Sequence, residues 1–135
     1  MFASTYQAAS GAGQPAMEEL IASTRAKLAG ENFIPQQFDH NLALNLFPHI
    51  GTFLEDGYTD EEMKFTNELR RILGLPHLPI DCTSVRVPIS RAHSEDITVE
   101  TEQPFVVKQV QELLSRSAGV DLVDEPGKKR YPMPS

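Results

Sequence analysis

Arg86 and His93 are the two side chains in this sequence that combine chemical capability with a rigid predicted setting. A guanidinium binds carboxylate or phosphate through paired hydrogen bonds, and an imidazole transfers protons near neutral pH. Apolar residues alternate in 85–89 and again in 97–101, a pattern typical of half-buried strands. Residues seven apart on a straight strand point to opposite faces, so joint action requires a bend. Pro88, which cannot donate to a ladder, is expected to supply that bend.

Judged by residue type alone, Arg86 and His93 are more often structural residues than functional ones. An arginine flanked by two valines often forms an ion pair across strands, and a lone histidine is often a satisfied structural residue. Spacing by itself therefore leaves the function of Arg86 and His93 open.

Length and composition narrow the protein class. A chain of 135 residues with 40% hydrophobic and 23% charged residues is expected to form one soluble domain. Its net charge of −7 argues against nucleic-acid binding, which needs a basic surface. No apolar run is long enough to cross a bilayer and no signal pattern is visible, so we expect no membrane partner and a cytoplasmic location. Cys82 is the single cysteine, which excludes an internal disulfide and a paired-cysteine metal site.

The first thirty residues predict a strand, a loop and a helix. Residues 2–7 read as a strand, and helical spacing with a stop at Gly30 predicts a helix at 15–29. Between them, the small residues 10–13 let backbone N–H groups approach an anion or a flat cofactor. The two glycines lack the third glycine of a dinucleotide fingerprint, so a tight turn explains them equally well.

The segment 31–49 has two prolines and no clear period, and we interpret it as an exposed loop. A metal site at Asp39, His40 and His49 is disfavoured because these residues lack the spacing of a zinc motif.

A second helix is predicted at 60–73, where Thr59 and Glu62 match a capping box. Glu61, Lys64 and Glu68 fall along one flank of its buried stripe. They fit a surface ladder of ion pairs, or alternatively Glu61 and Lys64 reach into a site.

Cys82 lies four positions before Arg86, so on one strand both side chains share a face. A thiol buried in a strand has a raised pKa, and no dedicated activator is apparent, so we predict a structural role. A third helix is predicted at 104–116, and a short strand at 120–123. Helices interleaved with strands predict an α+β fold, with a mixed or antiparallel sheet and helices on one face.

Four stretches together resemble the bacterial aspartate-semialdehyde dehydrogenases, in the same order. They are STYQAASGAG at 4–13, NLFPHIGTFLEDGY at 45–58, TDEEMKFTNELRRIL at 59–73 and VRVPISRAHSEDITVETE at 85–102. The resemblance covers nearly the whole chain and corresponds to an internal part of that enzyme. It implies a single, incomplete substrate and dimerisation domain at 1–135, similar to the C-terminal domain of glyceraldehyde-3-phosphate dehydrogenase. The Rossmann domain that binds NADP, the nucleophilic cysteine and a C-terminal segment would lie outside the chain.

The resemblance also implies a reaction. In the family, a thiolate attacks 4-phospho-L-aspartate, phosphate leaves, and NADPH reduces the thioester to L-aspartate 4-semialdehyde. This reaction serves the biosynthesis of lysine, threonine, methionine and isoleucine. The implied partners are the substrate, phosphate and a second copy of the chain, and no metal is implied. The isolated chain is expected to be inactive.

Individual roles follow from matching positions in the family. Arg86 would bind the substrate carboxylate, Glu61 its ammonium group, and Lys64 the phosphate. His93 would be the general acid/base. The remaining matches are substrate contact at Gln7 and cofactor contact at Ser10 and Gly11.

Two other interpretations remain open. The chain could be a non-catalytic pairing or regulatory module of the same fold, or part of a related acyl-phosphate or acyl-CoA reductase. The chain keeps all four ionisable residues with implied roles, and this favours the dehydrogenase over the non-catalytic module. These residues are Glu61, Lys64, Arg86 and His93. Arg86 and Glu61 together match the two charges of an amino acid, which favours it over the other reductases.

Overall fold

The structure is a computed structural model that describes residues 1–134, and its regular elements occur in the following order. The first part of the chain contains strand β1 (Phe2–Gln7), a 3-10 turn (Ala9–Ala12), helix α1 (Gln14–Leu28) and helix α2 (Asp60–Leu73). The second part contains strand β2 (Asp81–Arg86), strand β3 (Ser94–Thr98), helix α3 (Val107–Arg116) and a second 3-10 turn (Pro126–Lys128). Two compact units are formed, one by residues 1–99 with Pro134 and one by residues 100–133. None of the helices in the described part is long and apolar enough to span a bilayer.

The sheet has three strands in the order β2, β1, β3. The central strand β1 runs parallel to β2 and antiparallel to β3, so the sheet is mixed and the predicted α+β class is confirmed. Alternate residues of β1 and β2 are buried, as period-two spacing requires. In this register Gln7 lies opposite Arg86 on the buried face.

The chain bends directly after β2, as Pro88 predicted. The strand ends at Arg86, earlier than the alternation to residue 89 indicated, because the backbone leaves the ladder at the proline. It then runs beside the first 3-10 turn, where the N–H groups of Ala9 and Ser10 donate to the carbonyls of Ile89 and Ser90 at 2.8 and 3.0 Å. Strand β3 begins at Ser94 and ends at Thr98, so the predicted strand at 97–101 starts earlier and stops sooner than expected.

Helix α1 packs onto the segment that follows it. Its Met17 and Leu20 form the apolar core with Ala9, Leu42 and Phe47. The prediction of an exposed loop at 31–49 was therefore wrong in part, since this irregular segment supplies core residues. Apolar side chains without a regular period gave no sequence signal of that burial.

Helix α2 begins and ends where the sequence predicted. The Thr59 side chain accepts from the Glu62 N–H, and the Glu62 carboxylate accepts from the Thr59 N–H at 2.8 Å, which confirms the capping box. The same carboxylate accepts from the Ser84 N–H at 3.0 Å. Glu62 thus joins the start of α2 to an edge strand whose outward N–H would otherwise lack a partner.

The second unit contains helix α3, which begins three residues later than predicted. The Gln109 side chain accepts from the Val106 N–H at 3.0 Å and marks the helix start there. Residues 120–123, predicted as a strand, form no regular element.

Candidate functional site

Arg86 occupies the centre of the site, at the last position of β2. Its backbone is held by Phe47, with the Arg86 N–H donating to the Phe47 carbonyl at 2.9 Å and the reverse bond at 3.2 Å. The side chain is only 6% exposed. Its Nη1 donates to the Ala8 carbonyl at 2.7 Å, and the Phe38 ring centre lies 5.7 Å from Cζ.

The Arg86 guanidinium has very few partners for a buried cation. Within residues 1–134, Nε is buried without a hydrogen bond and no carboxylate oxygen lies within 4 Å of the group. Burial lowers the pKa of Arg86 below its ordinary value, and the Glu61 carboxylate partly offsets that effect. Because an unpaired buried charge is costly, this arrangement favours an anion that would complete the set of contacts.

His93 faces the same space as Arg86. The Ala8 N–H donates to His93 Nδ1 at 3.1 Å, so in the neutral ring the proton is on Nε2. A Cβ atom placed on Gly11 would lie 3.3 Å from Arg86 Nη1 and 3.6 Å from His93 Nε2. The bend after Pro88 therefore brings the guanidinium and the imidazole together around Gly11.

Gln7 connects the sheet to helix α2. Its amide Nε2 donates to Glu61 Oε1 at 3.1 Å and to Thr5 Oγ1 at 3.3 Å. Thr5 Oγ1 in turn donates to Ser84 Oγ at 3.1 Å. These bonds fix the amide so that its nitrogen faces the Glu61 carboxylate, and they hold that carboxylate at the buried face of the sheet.

Lys64 lies at the outer side of this group. Its Nζ is 3.8 Å from Glu61 Oε2, and its side chain is 59% exposed. The pair matches the predicted i, i+3 spacing on one helix flank. Glu61 thus has one oxygen toward Gln7 and the other toward Lys64.

Ser10 and Gly11 lie in the 3-10 turn that follows β1. Gly11 is exposed, and the side chain it lacks would enter the space beside Arg86 and His93. Because glycine has no side chain, another group can approach the backbone closely at this position.

A cavity of about 210 Å³ adjoins Arg86, and the sequence did not predict it. Its wall includes Phe38, Phe47 and His49. His49 Nδ1 lies 3.2 Å from Asp39 Oδ2, and the histidine ring stacks on Phe53. Across the described part of the chain no group of three potential ligands could hold a metal ion, and these side chains are engaged with each other.

Cys82 lies on the same buried face of the sheet as Arg86, and the residue is 3% exposed. Burial raises the pKa of its thiol, as the sequence predicted, and a weak contact with Ser84 Oγ at 3.9 Å opposes that increase. A raised pKa and lack of access are both unsuited to nucleophilic attack.

The amino-acid sequence of the chain is similar to that of known proteins. Residues 1–135 match the family described as semialdehyde dehydrogenase, dimerisation domain. The chain belongs to this family. The aspartate-semialdehyde dehydrogenase of Campylobacter jejuni is 45% identical over 97% of the chain, and that of Aquifex aeolicus is 42% identical over 97%. The resemblance stated from the sequence is thereby confirmed.

Solved structures agree with the family assignment. A crystal structure of aspartate semialdehyde dehydrogenase II from Vibrio cholerae, complexed with ASA, superposes with a TM-score of 0.87 at 36% identity over 89% of the chain. The chain spans 38% of the length of the Campylobacter relative and 36% of the Vibrio chain. The chain therefore corresponds to only part of the length of these aspartate-semialdehyde dehydrogenases.

Proposed function

We propose that this chain is the substrate-binding and dimerisation part of an NADP-dependent aspartate-semialdehyde dehydrogenase. The reaction would be the reductive dephosphorylation of 4-phospho-L-aspartate to L-aspartate 4-semialdehyde. The observation that carries the proposal is the buried Arg86 guanidinium, which makes one hydrogen bond within the described residues and meets His93 around Gly11. A module that only pairs two chains has no use for such a costly group.

Substrate binding would use both charged ends of the amino acid. Arg86 would bind the α-carboxylate through its planar fork, and Glu61, held by Gln7, would bind the ammonium group. Holding both ends removes orientational freedom before the reaction and so lowers the barrier. A substrate without an ammonium group would leave Glu61 unpaired, which supports an amino-acid substrate over those of related reductases.

His93 would be the general acid/base of the site. With Nδ1 accepting from the Ala8 N–H, the reactive end is Nε2, which lies on the Gly11 side. In the neutral ring Nε2 carries the proton and would donate to the oxygen that becomes negative in the tetrahedral intermediate. The backbone contact also fixes the ring plane.

The remaining two contacts would involve phosphate and the cofactor. Lys64 is exposed and its ammonium group is 3.8 Å from the Glu61 carboxylate, so it is accessible to a phosphate dianion. Ser10 and Gly11 would lie beside the nicotinamide, which supplies the hydride when bound. NADP is the form that we propose.

Other parts of the enzyme would complete the reaction. The nucleophilic thiol and the Rossmann domain would come from outside the chain, because Cys82 is buried with a raised pKa. Residues 1–135 alone are therefore expected to be inactive, as one incomplete domain of the enzyme. A cytoplasmic location remains a prediction.

We also propose that two copies pair through this domain. Support comes from the family description and from the outer face of the sheet, where Phe2 and Tyr6 are exposed on the central strand. Aromatic groups exposed on a central strand are typical of a covered interface.

The test replaces the corresponding segment of the Campylobacter jejuni relative with this chain and measures phosphate-dependent NADP reduction with aspartate semialdehyde. Arg86→Lys keeps the charge but loses the planar fork, so kcat/KM should fall by about 100-fold. Arg91→Lys, an exposed cation five residues later, is the matched control and should leave kcat/KM unchanged. Equal activity of the two variants would remove the role of Arg86 as the substrate clamp.

A further inference from the structure

Glu19 is a buried carboxylate for which the proposed reaction provides no role. It lies on the inner face of α1 and is 9% exposed. No cationic nitrogen of residues 1–134 lies within 4 Å of it. Its Oε2 instead accepts from two consecutive backbone N–H groups, those of Gln36 and Gln37, at 2.6 and 2.8 Å.

These two bonds anchor an irregular segment to helix α1. Residues 31–46 contain no helix or strand that would fix their path, so the contact with Glu19 supplies a fixed point. A carboxylate that accepts from two backbone N–H groups forms charge-assisted bonds, which are stronger than neutral ones. The next residue along the chain is Phe38, which follows directly after the two anchored N–H groups.

Phe38 is the residue that the anchored segment places against the site. Its ring packs edge-on to Phe47 with centres 6.1 Å apart, and Arg86 Cζ lies 5.7 Å from its centre. A guanidinium within about 6 Å of an aromatic ring is attracted to the ring face. Nη1 makes the single hydrogen bond of the Arg86 side chain within the described residues, so the contact with the Phe38 ring is a second attraction that acts on the guanidinium.

We propose that Glu19 is a positioning residue, which holds Phe38 over Arg86 and thereby fixes the orientation of the guanidinium that receives a carboxylate ligand. The carboxylate ligand rests on the proposed function, whereas the orientation of Arg86 does not. The path runs from the Glu19 carboxylate through the backbone of residues 36–37 to the ring and then to the cation. Glu19 itself contacts no ligand.

The test records the Arg86 Nε–H resonance by NMR in the ¹⁵N-labelled chain. Glu19→Gln keeps the shape but removes the charge, so Nε–H exchange with solvent should be about tenfold faster. The resonance should also lose the ring-current shift that Phe38 imposes. Glu18→Gln, the same change at the exposed neighbour that accepts from Gln14, is the control and should alter neither property.

Phe38→Leu provides a second variant, which removes the ring without touching the anchor. It should abolish the ring-current shift, and Glu19→Gln added to Phe38→Leu should change the resonance no further, because both act on one path. If Glu19→Gln fails to fold, Glu19→Asp, with a shortened reach, is compared with Glu18→Asp. A folded Glu19 variant whose Arg86 resonance matches that of its control overturns the proposal.

Titration with L-aspartate separates this inference from the proposed function. If both are correct, aspartate shifts the Arg86 resonance, and Glu19→Gln weakens that binding by about tenfold. If aspartate causes no shift in the unmutated chain while Glu19→Gln still speeds exchange, the positioning role stands and the role of Arg86 as a carboxylate site is overturned.

Discussion

The capping carboxylate of α2 offers a quantitative test of how the site is held. Glu62 is 8% exposed, and its Oε2 accepts from the Thr59 N–H and hydroxyl at 2.8 and 3.0 Å. Its Oε1 accepts from the Ser84 N–H at 3.0 Å. The perturbation is Glu62→Gln, which preserves the size of the side chain but replaces one acceptor oxygen by an NH₂ group.

The expected cost follows from these contacts. Whichever way the new amide turns, its NH₂ faces a backbone N–H, either that of Ser84 or that of Thr59. One buried donor then has no acceptor, at a cost of about 1–3 kcal/mol, and the remaining bonds lose their charge assistance. Loss of a negative charge in the first turn of a helix adds about 0.5 kcal/mol. The expected decrease in the free energy of unfolding is therefore about 2–4 kcal/mol.

Urea unfolding followed by circular dichroism measures this decrease. With a slope of about 2 kcal/mol/M, the midpoint should fall by about 1–2 M. Glu68→Gln removes the same charge from an exposed position on the same helix and should change the stability by less than about 0.5 kcal/mol. The reasoning is refuted if Glu62→Gln and Glu68→Gln have the same midpoint, because the buried acceptor would then contribute nothing.

Three further predictions concern the site and the buried thiol. Gly11→Ala would place a methyl group 3.3 Å from Arg86 Nη1, so L-aspartate should bind about tenfold more weakly in the same NMR titration; unchanged affinity would show that the ligand lies elsewhere. The pKa of Cys82 is raised by burial, so iodoacetamide should react far more slowly with the native thiol than with the urea-unfolded thiol, and equal rates would contradict its burial. Because the pKa of Cys82 is raised in the folded state, the neutral thiol stabilises the fold fully below its ordinary pKa, and this stabilisation is lost as the pH rises through the raised pKa. In urea unfolding at several pH values, Cys82→Ala should remove this loss of stability.

Local signals predicted the elements whose ends are marked by neighbouring residues. Helix α2 was predicted at 60–73 and occurs there, because Thr59 caps its start and Gly74 adopts φ 66° at its end. Both effects act within one helical turn. The start of α3 was placed three residues early, since Pro104 gave a plausible start while Gln109 fixes the start at Val106.

Long-range contacts were beyond prediction from the sequence. Glu19 and Phe38 gave no pattern, because their significance depends on Arg86 and on backbone N–H groups seventeen or eighteen positions away from Glu19. The burial of Phe47 beside Arg86 likewise arises from packing of an irregular segment, and such packing has no period in the sequence.

The sequence by itself determined which chemical groups are available: a guanidinium and an imidazole seven residues apart, a capped helix with Glu61 in its first turn, and a proline that had to end the strand. Only the tertiary structure decided that these groups meet. The parallel register of β1 and β2 sets Gln7 beside Arg86, and the bend after Pro88 returns His93 to Gly11. The physical reason is that residue type and local spacing fix the conformation of a short segment, whereas strand register and side-chain packing depend on contacts between segments far apart in the chain.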